Sequence, residues 1–256
     1  MVALRRRFWS IHLPLMWSTR FTAARLDDLE EFPSTVARLY RAVADVTASS
    51  VIVDSSKEPH YSMILRERTD LDIYFLHLVR DPRATGFSWK GRKAEVGFGT
   101  TRLMERRGLV KSSVYYLVSN IAAERLWRGH PDRYRLLRYE DFTADPRGCL
   151  AAIAAWIGDH ADLAVVVHDD RTVEPTTSHL AWGNPNRFDQ GSSRVTNDTR
   201  WIADQPRWRS AAQFALTGMV ARRYGYRRRP GSLQPPKRRS GRWLWSSRSR
   251  RRERQT

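Results

Sequence analysis

The stretch that most narrows the fold is Asp72 to Val79, "DIYFLHLV", an apolar run that stops on "RDPRATGFS". Eight such residues suit a strand buried on both faces. Asp81 then offers a helix N-cap and Pro82 a first helical position, so a helix follows at once. Upstream, "SSVIVDSSKEPHYSMILRER" shows the same order. Val51 to Asp54 have strand character, Ser55 or Ser56 can cap, Pro59 fits a first turn, and Met63, Ile64 and Leu65 open an apolar face. Strand, helix, strand, helix in under fifty residues predicts a βαβ unit with parallel strands.

The rest of the chain fits that plan. The spacing predicts a long helix over about 108–128 that ends at Gly129, a third strand in "YRLLRYEDF" (134–142), and a helix capped by Asp145 and closed by Gly158. Residues 170–200 read as loop, and a last helix spans roughly 206–224. Before residue 45 the pattern is helical, clearest in "LDDLEEFPSTVARLYRAVADVT". The fold class expected is α/β with a parallel sheet and flanking helices.

Composition sets the limits. With 256 residues, 41% of them apolar and ten tryptophans, the chain can bury a sizeable core. One cysteine, Cys149, forbids an internal disulfide and fits a cytoplasmic location. "MVALRRRFWSIHLPL" places arginines where a secretory signal needs apolar residues, and no run is long enough for a transmembrane segment. The formal charge of +18 is uneven: residues 227–256 hold twelve Arg or Lys against one Glu, which leaves about +7 for the other 226. That segment, rich in Pro, Ser and Gly, reads as a disordered basic tail. It serves solubility, or contacts nucleic acid or anionic lipid non-specifically, with Trp243 and Trp245 as interfacial anchors in the second case. The expected organisation is a helical segment over 1–34, an α/β domain over 35–226 and the tail over 227–256.

In an open parallel sheet, ligands collect beyond the carboxyl ends of the strands. "DSSK", "RDPR" and "RYED" all fall at such ends. Arg80 sits where its fork can grip a phosphate through paired hydrogen bonds, and the Ser88 hydroxyl lies two turns into the following helix. Arg80 pairing with Asp81, and Ser88 as a plain surface residue, are the alternatives. His60 is the best-placed candidate for a general base, since a histidine titrates near neutrality, with a plain polar residue in a helix's first turns as the alternative, and His179 is a second candidate.

Taken in order, "IVDSSKEP", "HLVRDPRATGFS", "LLRYEDFTADP" and "GNPNRF…G…W" resemble the nucleotide-dependent sulfotransferases, in particular their bacterial branch, over about residues 35–226. The resemblance implies a P-loop NTPase-like α/β sandwich. It also implies transfer of a sulfuryl group from 3′-phosphoadenosine-5′-phosphosulfate (PAPS) to a hydroxyl or amine of a small-molecule or carbohydrate acceptor, without metal. By the same resemblance, Arg80 and Ser88 bind the 3′-phosphate and Tyr139 packs near the adenine. Arg187 and Gly191 belong to a loop that closes over the 3′-phosphate, although Phe188 and Asp189 stand where the family often continues with basic residues. Lys57 lies where related enzymes stabilise charge on the transferred group, with a surface lysine beside a helix cap as the alternative.

The family also carries a glycine- and serine-rich loop near its start, whose backbone N–H groups hold the 5′-phosphosulfate. No glycine precedes Gly86 here, and "MWSTRF" lacks what a backbone needs to wrap a phosphate. The expectation is an N-terminally truncated form of the fold, the downstream part of a longer enzyme or a natural remnant. Such a chain binds donor poorly and transfers sulfate slowly or not at all. The alternative function is a catalytically silent adenine-nucleotide-binding or interaction protein.

Overall fold

The structure, a computed structural model, describes residues 31–91, 94–97, 100–103, 106–159, 171–173, 182–183 and 192–230. The parts of the sequence reading that fall on 1–30, 160–170, 174–181, 184–191 and 231–256 lie outside the described residues. So His179, Arg187 and Gly191 are outside, as is nearly all of the basic tail. The chain forms two compact units. The first holds described residues 31–77 and 115–135, the second the described residues of 78–114 and 136–230.

In the first unit, α1 (Phe32–Thr47) opens with Pro33 in its first turn and ends on Ala48 in the left-handed region, φ 49°. It packs against α2 (Pro59–Arg68). Between them, Val51 to Asp54 form no strand, and Val53 is 85% exposed. The cause is local: Asp54 Oδ1 accepts from the Ser56 N–H at 2.6 Å and from its hydroxyl at 2.5 Å. A side chain that bonds the backbone two residues on turns the chain and competes with a ladder. The same bonds use up Ser56, so α2 starts at Glu58 without a side-chain cap, and Pro59 takes the first position as expected.

Strand β1 (Phe75–Val79) joins the two units. It departs from the expected double burial: His77 and Val79 are buried, but Leu76 and Leu78 are exposed. Its partner is β4 (Tyr134–Arg138), so among the described residues the parallel sheet has two strands rather than the three expected. In the first unit, Phe75 stacks on Trp127 (centroids 5.1 Å) and Tyr134 (6.1 Å). The Trp127 indole N–H donates to Ser62 Oγ at 3.0 Å. His77 is enclosed between Tyr134 and Asn120.

In the second unit, α3 (Pro82–Lys90) begins as predicted, with Asp81 Oδ1 accepting the Arg83 N–H at 2.9 Å. A short antiparallel hairpin follows, β2 (Ala94–Gly97) and β3 (Thr100–Leu103). Helix α4 (Leu109–Trp127) then runs from this unit into the first. After β4 the chain turns straight into α5 (Tyr139–Ala144), so Tyr139 opens a helix instead of continuing a strand. Helix α6 (Pro146–Ile157) is capped by Asp145 and closed by Gly158 at φ 73°. Two-residue strands follow: β5 (Thr172–Val173), β6 (Trp182–Gly183) beside β2, and β7 (Ser193–Arg194) opposite β5. Last come α7 (Arg200–Asp204) and α8 (Arg207–Ala221), then a 3₁₀ turn over Arg222–Tyr224.

Helices α3 and α8 pack at Gly86, where a Cβ would stand 2.7 Å from Gln213 Oε1. The Gln213 amide donates in turn to Ser113 Oγ at 2.9 Å, so the residue facing Gly86 is held in place. No described helix is long and apolar enough to cross a membrane.

Candidate functional site

The carboxyl ends of β1 and β4 lie side by side, and each releases one side chain with ligand chemistry. Arg80 follows β1 and Tyr139 follows β4. The Arg80 guanidinium lies over the Tyr139 ring, 4.4 Å from its centroid. That stacking leaves the donors along the edge of the fork free to bond in its own plane.

The irregular segment after β7 bonds both members of this pair. Tyr139 O–H donates to the Thr196 carbonyl at 3.1 Å, and Arg80 Nη2 donates to the Asp198 carbonyl at 3.0 Å. The Asp198 carboxylate stands 3.7 Å from Arg80 Nη2. Arg200 grips that carboxylate twice, through Nε at 2.8 Å and Nη2 at 2.9 Å. Those bonds hold the Asp198 carboxyl down to about 2, with Arg80 adding a smaller pull. Arg80 Nε is buried and has no acceptor. Ser88, two turns along α3, is half-buried.

The second arginine of "RDPR" has a different job. Arg83 is 1% exposed and spends its whole fork on the protein. It grips Asp81 through Nε (2.9 Å) and Nη2 (2.7 Å), and donates to the Arg227 carbonyl at 2.9 Å and the Arg228 carbonyl at 2.7 Å. Its plane lies near Trp201 (5.1 Å) and Phe214 (4.8 Å). The Asp81 N–H donates to Glu140 Oε1 at 3.2 Å, and Tyr226 O–H donates to Glu140 Oε2 at 2.7 Å. Burial pushes the Glu140 carboxyl above the usual carboxylate range, against those hydrogen bonds. This network was not visible in the sequence. Its one local trace is an aspartate two residues before an arginine at a helix start. The Asp81–Arg80 pairing weighed from the sequence is replaced by Asp81–Arg83.

Lys57 and His60 belong to the first unit. Lys57 is exposed in the irregular segment ahead of α2. His60 is 5% exposed, with Nδ1 3.8 Å from Glu58 Oε2. Burial lowers its proton affinity more than Glu58 raises it, so the ring is neutral near pH 7. Glu58 Oε1 in turn accepts the Tyr115 hydroxyl at 3.2 Å. Among the described residues, no three His, Cys, Asp or Glu side chains gather as metal ligands.

The structure therefore brings Arg80 and Tyr139 together and adds Thr196 and Asp198, which no sequence signal marked. No protein-family model, no curated protein and no solved structure matches the chain.

Proposed function

We propose that the chain is a sulfotransferase-type α/β protein of P-loop-like ancestry, and that the Arg80–Tyr139 pair receives the 3′-phosphate end of an adenosine bisphosphate. The family chemistry is sulfuryl transfer from PAPS to a hydroxyl or amine acceptor. The observation that carries the reading is the buried, unpartnered Arg80 Nε beside an aromatic face at the strand ends. A phosphate oxygen supplies the acceptor which that donor lacks, and a purine stacks on the ring. Ser88 adds a hydroxyl on α3. PAPS, as co-substrate, supplies the sulfuryl group and its leaving phosphate. Lys57 and His60, the cation and the general base that the sequence suggested, belong to the other unit, so the proposed site rests on Arg80, Tyr139 and Ser88.

A second reading, a silent adenine-nucleotide-binding or interaction protein, is favoured by two observations. Asp198 already faces Arg80, and the His60 ring is closed off from solvent. Titration calorimetry with 3′-phosphoadenosine-5′-phosphate, followed by a transfer assay with labelled PAPS on small-molecule and carbohydrate acceptors, separates the two. Under both, the bisphosphate binds and Arg80→Ala weakens it roughly 10–100-fold, the worth of a charge-assisted pair. Turnover supports the enzyme, and binding without turnover supports the silent protein. A wild-type chain that does not bind, or an Arg80→Ala variant that binds unchanged, refutes the site.

A further inference from the structure

Helix α8 presents apolar residues on two opposite sides. Its inner side buries Phe214, Thr217, Gly218, Val220 and Ala221. Its outer side carries Trp208 (66% exposed), Leu216 (48%) and Met219 (66%), with Ala212 and Ala215 between them. At 100° per residue these five fall within about a third of the helix circumference, a stripe roughly 16 Å long. No polar side chain interrupts it. Four arginines bracket the stripe, Arg207 and Arg209 at one end, Arg222 and Arg223 at the other. A surface helix with a continuous apolar outer stripe has that stripe covered in its working state.

The charge around it decides by what. From Gln205 to Pro230 the described chain holds seven arginines and not one Asp or Glu, and the sequence stays free of acidic residues to Arg252. A second copy of a chain carrying +18 is repelled from such a face. Nucleic acid matches the cations but has no use for Leu216 and Met219, which offer neither a stacking plane nor a hydrogen bond. An anionic lipid surface matches both halves. Apolar side chains enter the boundary of the acyl region, the indole of Trp208 sits among headgroups, and arginines meet the phosphates.

We propose that the outer face of α8 is a docking surface for an anionic membrane, laid flat with the fold intact and reinforced by the basic sequence after residue 226. The role does not depend on the nucleotide reading. It differs from attachment through the tail alone, since it makes the stripe of a folded helix part of the contact.

The test is flotation of the full-length chain with vesicles of phosphatidylcholine alone and with about a third phosphatidylserine. The wild type is expected to float with the anionic vesicles at low salt and to lose roughly fivefold in affinity for each arginine removed from the surface. Trp208→Ser combined with Leu216→Ser and Met219→Ser is expected to weaken binding by about tenfold or more with the tail still present. The three side chains are largely exposed, so circular dichroism should show an unchanged fold; Trp208→Ser alone serves if the triple variant does not fold. The proposal is overturned if the stripe variants float like the wild type, which leaves the tail as sole anchor, or if the wild type binds neither vesicle. It also fails if the stripe variants lose duplex DNA binding or a concentration-dependent dimer in place of vesicle binding.

Discussion

His77 makes the stability of the first unit depend on pH, and the dependence can be worked out from its surroundings. Its Nδ1 lies 2.8 Å from the Tyr134 hydroxyl and its Nε2 lies 2.9 Å from Asn120 Oδ1. The Asn120 amide nitrogen donates to the Tyr116 carbonyl at 2.6 Å, which fixes Oδ1 as the atom facing the ring. Nε2 must then carry the proton and donate, while Nδ1 accepts from Tyr134. A second proton on Nδ1 would break that bond and place a cation in a buried site. Burial accordingly pulls the His77 pKa from 6.5 to about 4, with the Asn120 bond resisting. The unfolded chain takes up the proton first as pH falls, so the folded state loses ground between pH 6.5 and about 4. Above that window His77 is neutral in both states and its full contribution is present; below it the loss is complete. Two and a half pH units at 1.36 kcal/mol each come to on the order of 3 kcal/mol. His77→Gln keeps one donor and one acceptor and takes no proton. Urea unfolding followed by tryptophan fluorescence at about pH 7 and about pH 4 should show the wild type losing on the order of 3 kcal/mol more than the variant. Glu140 and Asp198 titrate alike in both proteins and cancel in the difference. Equal losses in the two proteins would show that His77 is not held neutral by its site.

Asp198→Asn removes the negative charge facing Arg80 while keeping the backbone carbonyl that Arg80 bonds. Calorimetry should show adenosine bisphosphate binding strengthened by about three- to tenfold at low salt, and an unchanged or weaker constant would mean that Asp198 does not compete with the phosphate. Arg83→Met strips Asp81 of its buried cation and two carbonyls of their donor. Urea unfolding should register a loss of about 3–5 kcal/mol, and a loss below about 1 kcal/mol would contradict the burial assigned to the pair.

The parts legible in the sequence are those carried by bonds between near neighbours. Asp81 with Pro82, and Asp145 with Gly158, mark helix ends because the cap and the backbone it satisfies lie within three residues. Val51 to Asp54 misled for the same reason in reverse: β-branched residues suggest a strand, but Asp54 is close enough to Ser56 to turn the chain. The run "DIYFLHLV" identified β1, yet its composition could not show that only one face is covered, since that depends on packing far along the chain. The hairpin of β2 and β3 is four residues a side and mixes charge with threonine, too short for a period to emerge.

At the site, Arg80 could be named because strand ends gather ligands whatever the rest of the chain does, whereas Tyr139 could be named only through the family resemblance of "RYED". The division of labour between Arg80 and Arg83 could not. Arg83 finds its carbonyl partners 144 and 145 residues away, and Arg80 meets Asp198 118 residues on. Nothing local distinguishes two arginines three positions apart when their partners are that distant.

The acceptors that hold Arg83 at Arg227 and Arg228 are main-chain carbonyls, and the Arg228 side chain is exposed. Any residue at those two positions presents the same pair of oxygens. The closing of the fold around "RDPR" therefore places no demand on side-chain identity at Arg228. Charge at Arg228 could be added or removed over evolutionary time without loosening the core, which leaves that position open to selection by whatever the positive surface meets.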